Sequence, residues 1–205
     1  MPARNNEIAL PDYGATWLRN RSAGVSDVSI TLDKLYRQLN EPSPTFRSIT
    51  PKTGAGLKEQ LYDARSAFKL QTAQIAMHLD MCLRSRLFRQ LDSLLDYKNW
   101  EADDAPPTLA SYLTFLRMLL DLKPAIRPSL GATSDGRLVA AWTEGEDRLT
   151  IECLPNDEVR WVLSRKVDGD YERGAGITKA SRLKQVLAPY SPKRWFGDAN
   201  NLHPA

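Results

Sequence analysis

The chain has 205 residues, of which 42% are hydrophobic and 26% charged, and a net charge of +3. That balance fits one large globular domain, or a domain with a helical arm, and excludes a chain disordered throughout. No apolar run approaches the roughly 18–20 residues of a membrane span, and residues 1–10 lack the apolar core of a secretory signal, so a cytoplasmic protein without a membrane partner is expected.

Residues 1–24 have no clean period and read as an N-terminal arm. Ser26 or Asp27 is a good N-cap for a helix to about Asn40, with Val28, Leu32, Leu35, Tyr36 and Leu39 as its buried stripe. Pro42 and Pro44 end it, and a loop follows that closes on Thr53-Gly54-Ala55-Gly56. Residues 57–97 then run without Gly or Pro. Leu57, Leu61, Ala64, Phe68, Ile75, Leu79, Cys82, Leu83, Leu87, Leu91 and Leu94 recur at helical spacing along them. The stripe thins at Gln71 and Thr72, so one helix and two consecutive helices both fit. A single helix of that length would extend roughly 60 Å, longer than a compact domain of this size, and would need a partner along it. Residues 25–100 are therefore read as a helical region.

Residues 101–196 read as an α+β meander domain. An acidic connector ends in Ala105-Pro106-Pro107, and Thr108 caps a helix whose Leu109, Tyr112, Leu113, Leu116, Leu119 and Leu120 form a wide apolar face before Pro124. Strands follow, separated by Ser-Asp-Gly, Glu-Gly-Glu-Asp, Pro-Asn-Asp and Asp-Gly-Asp turns. Leu138, Ala140 and Trp142, then Leu149, Ile151 and Cys153, then Val159, Trp161 and Leu163 alternate with residues of the opposite face, the pattern of an antiparallel sheet buried on one side. Arg137, Arg148, Thr150, Glu152 and Arg160 form the outer face, a mixed-charge surface suited to recognition. Gly174 and Gly176 weaken a fourth strand near residues 171–175. A short helix over about 179–187 and a flexible tail, 197–205, complete the chain. The expected fold is α+β: a helical N-terminal half packed with a three- to four-stranded antiparallel β-meander and a short C-terminal helix.

The chemistry is sparse. Cys82 and Cys153 have apolar neighbours and no CxxC spacing, so both read as buried free thiols and no metal ligand set is expected. His78, beside the stripe, and His203 in the tail are the chain's histidines. Gly54-Ala55-Gly56 with Lys52 and Lys58 could cradle an anion, but the Walker and Rossmann patterns are incomplete and a loop-to-helix joint explains the same residues. Asp168, Asp170 and Glu172 could meet a divalent cation, yet Asp-Gly between strands is a hairpin turn. Catalytic, cofactor and metal residues are accordingly expected to be absent. A hydrolase or transferase using His78 or the Asp168/Asp170 turn is the least supported reading. Arg84, Arg86 and Arg89, with Lys179, Arg182, Lys184, Lys193 and Arg194, are the candidate nucleic-acid contacts, and Trp161, Tyr190 and Trp195 the candidate stacking partners.

The order Asn99-Trp100-Glu101, Pro106-Pro107, helix, Gly136-Arg137-Leu138 through Trp142, then meander resembles a group of small uncharacterised bacterial proteins found around mobile-element and toxin–antitoxin loci. The resemblance covers residues 97–190 and departs from the group at Glu101-Ala102-Asp103-Asp104, where a glycine is expected. It implies an antitoxin-like or defence-system accessory component and carries over no catalytic residue. The expectation is a non-enzymatic protein that binds another protein, or a second copy of itself, through residues 57–97 or the meander face. Nucleic-acid binding through the basic residues above is the alternative.

Overall fold

The computed structural model describes residues 56–197, together with Lys34 and Arg37. Lys34 and Arg37 are helical and exposed and belong to a separate unit, Met1–Gln38. The rest of the expected helix over 26–40, the arm, the Gly54-Ala55 turn and the tail beyond Gly197 lie outside the described residues.

Residues 57–97 form two helices, α1 (Leu57–Gln74) and α2 (Met81–Leu94), joined by a 3₁₀ turn at Ala76–His78. Ile75 ends α1 buried, and Asp80 restarts the chain as an N-cap, its Oδ1 accepting from the N–H groups of Cys82 at 2.9 Å and Leu83 at 3.0 Å. Gln71 and Thr72 are buried, not solvated. The Thr72 hydroxyl bonds the Phe68 carbonyl at 2.8 Å and shares a hydrogen bond with the Tyr112 hydroxyl. The Phe68 and Tyr112 rings stack at 4.0 Å with 4° between planes, a contact worth about 0.5–1.5 kcal/mol beyond its buried area. Burial raises the Tyr112 pKa beyond its ordinary value, so the phenol stays protonated as a hydrogen-bonding group.

Tyr112 belongs to α3 (Leu109–Leu122), capped by the Thr108 hydroxyl and ended by Lys123 in the left-handed region at φ 45°. Ten of its 14 residues are buried, because α1 covers one side and the sheet the other. The polar exceptions recur every third residue, on one face. Ser111 Oγ accepts from Leu138 N and donates to the Cys153 carbonyl, both at 2.7 Å. Thr114 donates to the Leu154 carbonyl at 2.7 Å, and Arg117 pairs with Asp157. Residues 56–100 and 101–197 thus share one core within the unit Leu39–Ala205.

The sheet is an antiparallel meander with strand order β1-β2-β3-β4-β5: β1 (Ser129–Ala132), β2 (Leu138–Glu144), β3 (Asp147–Cys153), β4 (Glu158–Val167) and β5 (Asp170–Lys179). Leu138, Ala140, Trp142, Leu149, Ile151, Cys153, Val159, Trp161 and Leu163 are all buried, as the alternation predicts. The count of five strands corrects the expected three or four. Ser-Leu-Gly-Ala carries almost no strand signal, and β1 exists because it pairs with Ser129 against Ala141 and Ala132 against Leu138. β5 runs ten residues through the glycines that were expected to interrupt it. An added Cβ at Gly176 would lie 3.1 Å from Trp161 Nε1, and one at Gly174 3.1 Å from Tyr190 Oη. Those glycines let aromatic rings lie on the strand. The β4–β5 turn, Asp168-Gly169, has φ of 51° and 94°, the paired positive values a tight hairpin needs.

After β5 come a 3₁₀ turn (Ala180–Arg182), α4 (Leu183–Val186), a second turn (Ala188–Tyr190) and α5 (Lys193–Phe196). The expected helix near 179–187 is therefore a 3₁₀ turn followed by a short α-helix. Phe196 lies edge-on to Trp142 at 5.1 Å, and its carbonyl accepts from Ala125 N at 2.6 Å. Among the described residues no helix is long and apolar enough to cross a membrane.

One expectation fails locally. Cys153 is buried but Cys82 is exposed, because the break at Asp80 resets the helical phase and the stripe drawn through residues 57–97 no longer applies. Burial also pushes the Cys153 thiol above its ordinary pKa, so only Cys82 is accessible as a nucleophile. A thiol reagent applied to the native protein is expected to label Cys82 alone, Cys82→Ser to abolish labelling, and Cys153 to react only on unfolding, as read by mass spectrometry. Ser111→Ala strands a buried N–H and a buried carbonyl and is expected to lower stability by about 2 kcal/mol in urea unfolding, against less than about 0.5 kcal/mol for the exposed Ser66→Ala.

Candidate interaction surface

Helices α1 to α5 lie on the inner face of the sheet, and none of them covers the outer face. Its side chains follow from register. Val162 stands between Thr150 and Ala175, and Arg160 between Glu152 and Ile177. Val139 and Ala141 extend the row across β2. Val162 is 50% and Ile177 60% exposed, which makes an aliphatic band on the sheet. Around it the same parity presents Arg137, Arg148, Arg160, Lys166, Arg173 and Lys179 against Glu152 and Glu158. Asp135 and Glu146 join those two carboxylates from the adjoining turns, 3.0 Å from Arg137 and 2.9 Å from Lys166, so six cations meet four carboxylates, an excess of +2. The surface is of mixed charge with a basic excess.

Glu152, expected to be exposed, is covered: it accepts from Arg137 and Arg160, each at 2.9 Å, and its side chain is 14% accessible. The hydrogen bond to Glu152 raises the Arg137 pKa further above its ordinary value, while the Thr133 hydroxyl holds Asp135 below the usual carboxylate range. Lys179 pairs with Glu158 at 3.1 Å. Arg148 reaches only the Thr150 hydroxyl, at 3.3 Å, and Arg173 has no ion pair among the described residues. Among the described residues these two arginines are the cations of the face without a carboxylate partner.

The basic residues singled out in the sequence do not gather into one surface. Arg86 and Arg89 share one side of α2, with Arg84 on another and half-buried. Arg86 and Arg89 meet Arg127, which the sequence had not marked because it sits in a linker. α2 packs on β1, whereas Arg182 and Lys184 follow β5 at the opposite edge. With strands about 4.8 Å apart, the two groups stand on the order of 19 Å apart across the sheet. Arg194 is structural: its guanidinium lies 2.6 Å from Asp147, a buried carboxylate that also accepts from Lys166 N at 2.7 Å. Lys193 is exposed on α5. Trp161 and Trp195 are buried, and Tyr190 lies under Arg165, so the expected stacking partners are part of the packing.

His78 is exposed in the turn between α1 and α2. Asp168 lies in the hairpin turn and Asp170 follows it, and Glu172 pairs with Arg165. Gly56 is the N-cap residue of α1, and its carbonyl takes the first helical hydrogen bonds. Among the described residues no group of three His, Cys, Asp or Glu is placed to hold a metal. Comparison with protein-family models, with curated proteins and with solved structures finds no match.

Arg194→Ala leaves the buried Asp147 short of a partner and is expected to cost about 1–2 kcal/mol in thermal or urea unfolding. Arg182→Ala and Lys184→Ala are expected to stay within about 0.5 kcal/mol, since neither side chain has a hydrogen-bond or ion-pair partner among the described residues.

Proposed function

We propose that the chain is a non-enzymatic interaction component that docks an acidic partner protein on the outer face of its sheet. The observation that carries this reading is the band of Val162, Ala175 and Ile177 set among Arg148, Arg160, Arg173 and Lys166. An aliphatic centre with an arginine rim is the composition of a protein interface. Charge selects the occupant. Two copies joined face to face would set like charges against each other, so an acidic partner fits better than a second copy. Among the described residues Tyr171 is the only aromatic side chain the face exposes, and Lys166 lies over its ring at 5.9 Å, which disfavours a base-stacking platform. The resemblance of residues 97–190 to proteins around toxin–antitoxin and mobile-element loci supports an antitoxin-like or accessory setting.

Val162→Asp combined with Ile177→Asp tests the face, and because both side chains are exposed the fold should survive, as circular dichroism will check. The immobilised wild type is expected to retain an acidic protein from its host at about 0.05 M salt and to release it at about 0.5 M salt, and the double variant is expected not to retain it. Equal retention by both forms overturns the docking face. A wild-type dimer in light scattering that the variant lacks assigns the face to a second copy, and nucleic acid retained only by the wild type assigns it to that ligand; either result overturns the acidic-protein partner.

A further inference from the structure

Arg86 and Arg89 stand one turn apart on α2, and Arg127 reaches them from the linker between α3 and β1. With Gln90 and Ser93 they line a cavity of about 380 Å³ that has no carboxylate in its wall among the described residues. All three arginines are exposed, and none has an ion pair or hydrogen bond among the described residues. Three converging cations repel one another, and a bound anion relieves that repulsion. The linker is held in place: Gln90 Nε2 donates to the Pro128 carbonyl at 2.8 Å, which ties the residue after Arg127 to α2.

A second cavity of about 380 Å³ shares Gln90 and Ser93 and continues to Asn99, Trp100, Asp104 and Ser134 along the free edge of β1. Its far wall is also fixed. The Trp100 indole N–H donates to the Leu94 carbonyl at 2.6 Å, and Asn99 Nδ2 to the Ser93 carbonyl at 2.9 Å. One end of the combined cleft thus offers guanidinium forks, which match phosphate oxygens in pairs. The other offers an indole, an amide, a carboxylate and a hydroxyl, the mixture that recognises a heterocycle and its sugar. Each volume falls within the roughly 300–1,000 Å³ of small-molecule sites.

We infer that this double cleft binds a small phosphate-bearing ligand of the nucleotide class, with its phosphates on Arg86, Arg89 and Arg127 and its ring end toward Trp100. A nucleic-acid strand is the weaker occupant, because the remaining unpaired basic residues of the expected set, Arg182 and Lys184, lie at the opposite edge of the sheet and extend no track from the cleft. This site is separate from the outer face, and the two stand or fall independently.

Calorimetric titration of the full chain with adenosine diphosphate, pyrophosphate, adenosine and a single-stranded oligonucleotide tests the assignment. Adenosine diphosphate is expected to bind more tightly than either pyrophosphate or adenosine. Arg89→Ala and Arg127→Ala are each expected to weaken it at least about tenfold. Their unliganded melting temperatures should not change, because both side chains are exposed, and Arg182→Ala should bind as the wild type does. Several outcomes overturn the inference: no heat with adenosine diphosphate at about 1 mM, adenosine binding equally well, pyrophosphate binding equally well, or tighter, strongly salt-dependent binding of the oligonucleotide.

Discussion

The structure depends on one helix being wanted from two sides. α3 is apolar around most of its circumference, so it is stable only where both flanks are dry. The Phe68–Tyr112 stack closes one flank and the inner residues of β2, β3 and β4 close the other. Such a helix would leave strand-end backbone groups without water, and the Ser111, Thr114 and Arg117 stripe meets that need. Leu138 N, the Cys153 carbonyl and the Leu154 carbonyl all find partners on α3. The polar stripe therefore sets where the helix sits along the strands, a choice that apolar packing alone leaves loose.

Placing helices α1 to α5 on one side has a direct consequence for recognition. The covered face uses its charges internally: Arg165 with Glu172, Arg194 with Asp147. The outer face pairs Glu152 with Arg137 and Arg160, Lys166 with Glu146 and Lys179 with Glu158, and among the described residues leaves Arg148 and Arg173 without a carboxylate beside an aliphatic centre. Basic residues close in sequence, such as Lys193, Arg194 and the pair Arg182 and Lys184, are thereby divided among solvent, structure and the far edge of the sheet. Proximity along the chain was a poor guide to a shared surface here.

Legibility in the sequence followed signal strength. Strands β2, β3 and β4 announced themselves by strict alternation, and the Thr108 cap and the Asp168-Gly169 turn were equally readable. β1 was invisible because its four residues have little propensity of their own, and β5 was undervalued because its glycines are choices of packing, made for Trp161 and Tyr190. Cys82 was misread for a phase reason: a period extended across the Asp80 cap assigns later residues to the wrong side. Of the arginine cleft, Arg86 and Arg89 were marked as basic residues, whereas Arg127 had no local feature to set it apart from any linker arginine.

By itself the sequence determined the α+β class, the meander with most of its core, and the outward parity of Arg137, Arg148, Thr150, Glu152 and Arg160, because period and turn chemistry are local properties of the chain. Tertiary structure alone decided the fifth strand, the break that turns Cys82 to solvent, the covering of Glu152 by two arginines and the meeting of Arg127 with α2. Each of these rests on residues far apart in the chain, and no local pattern encodes which distant partners the packed core will bring together.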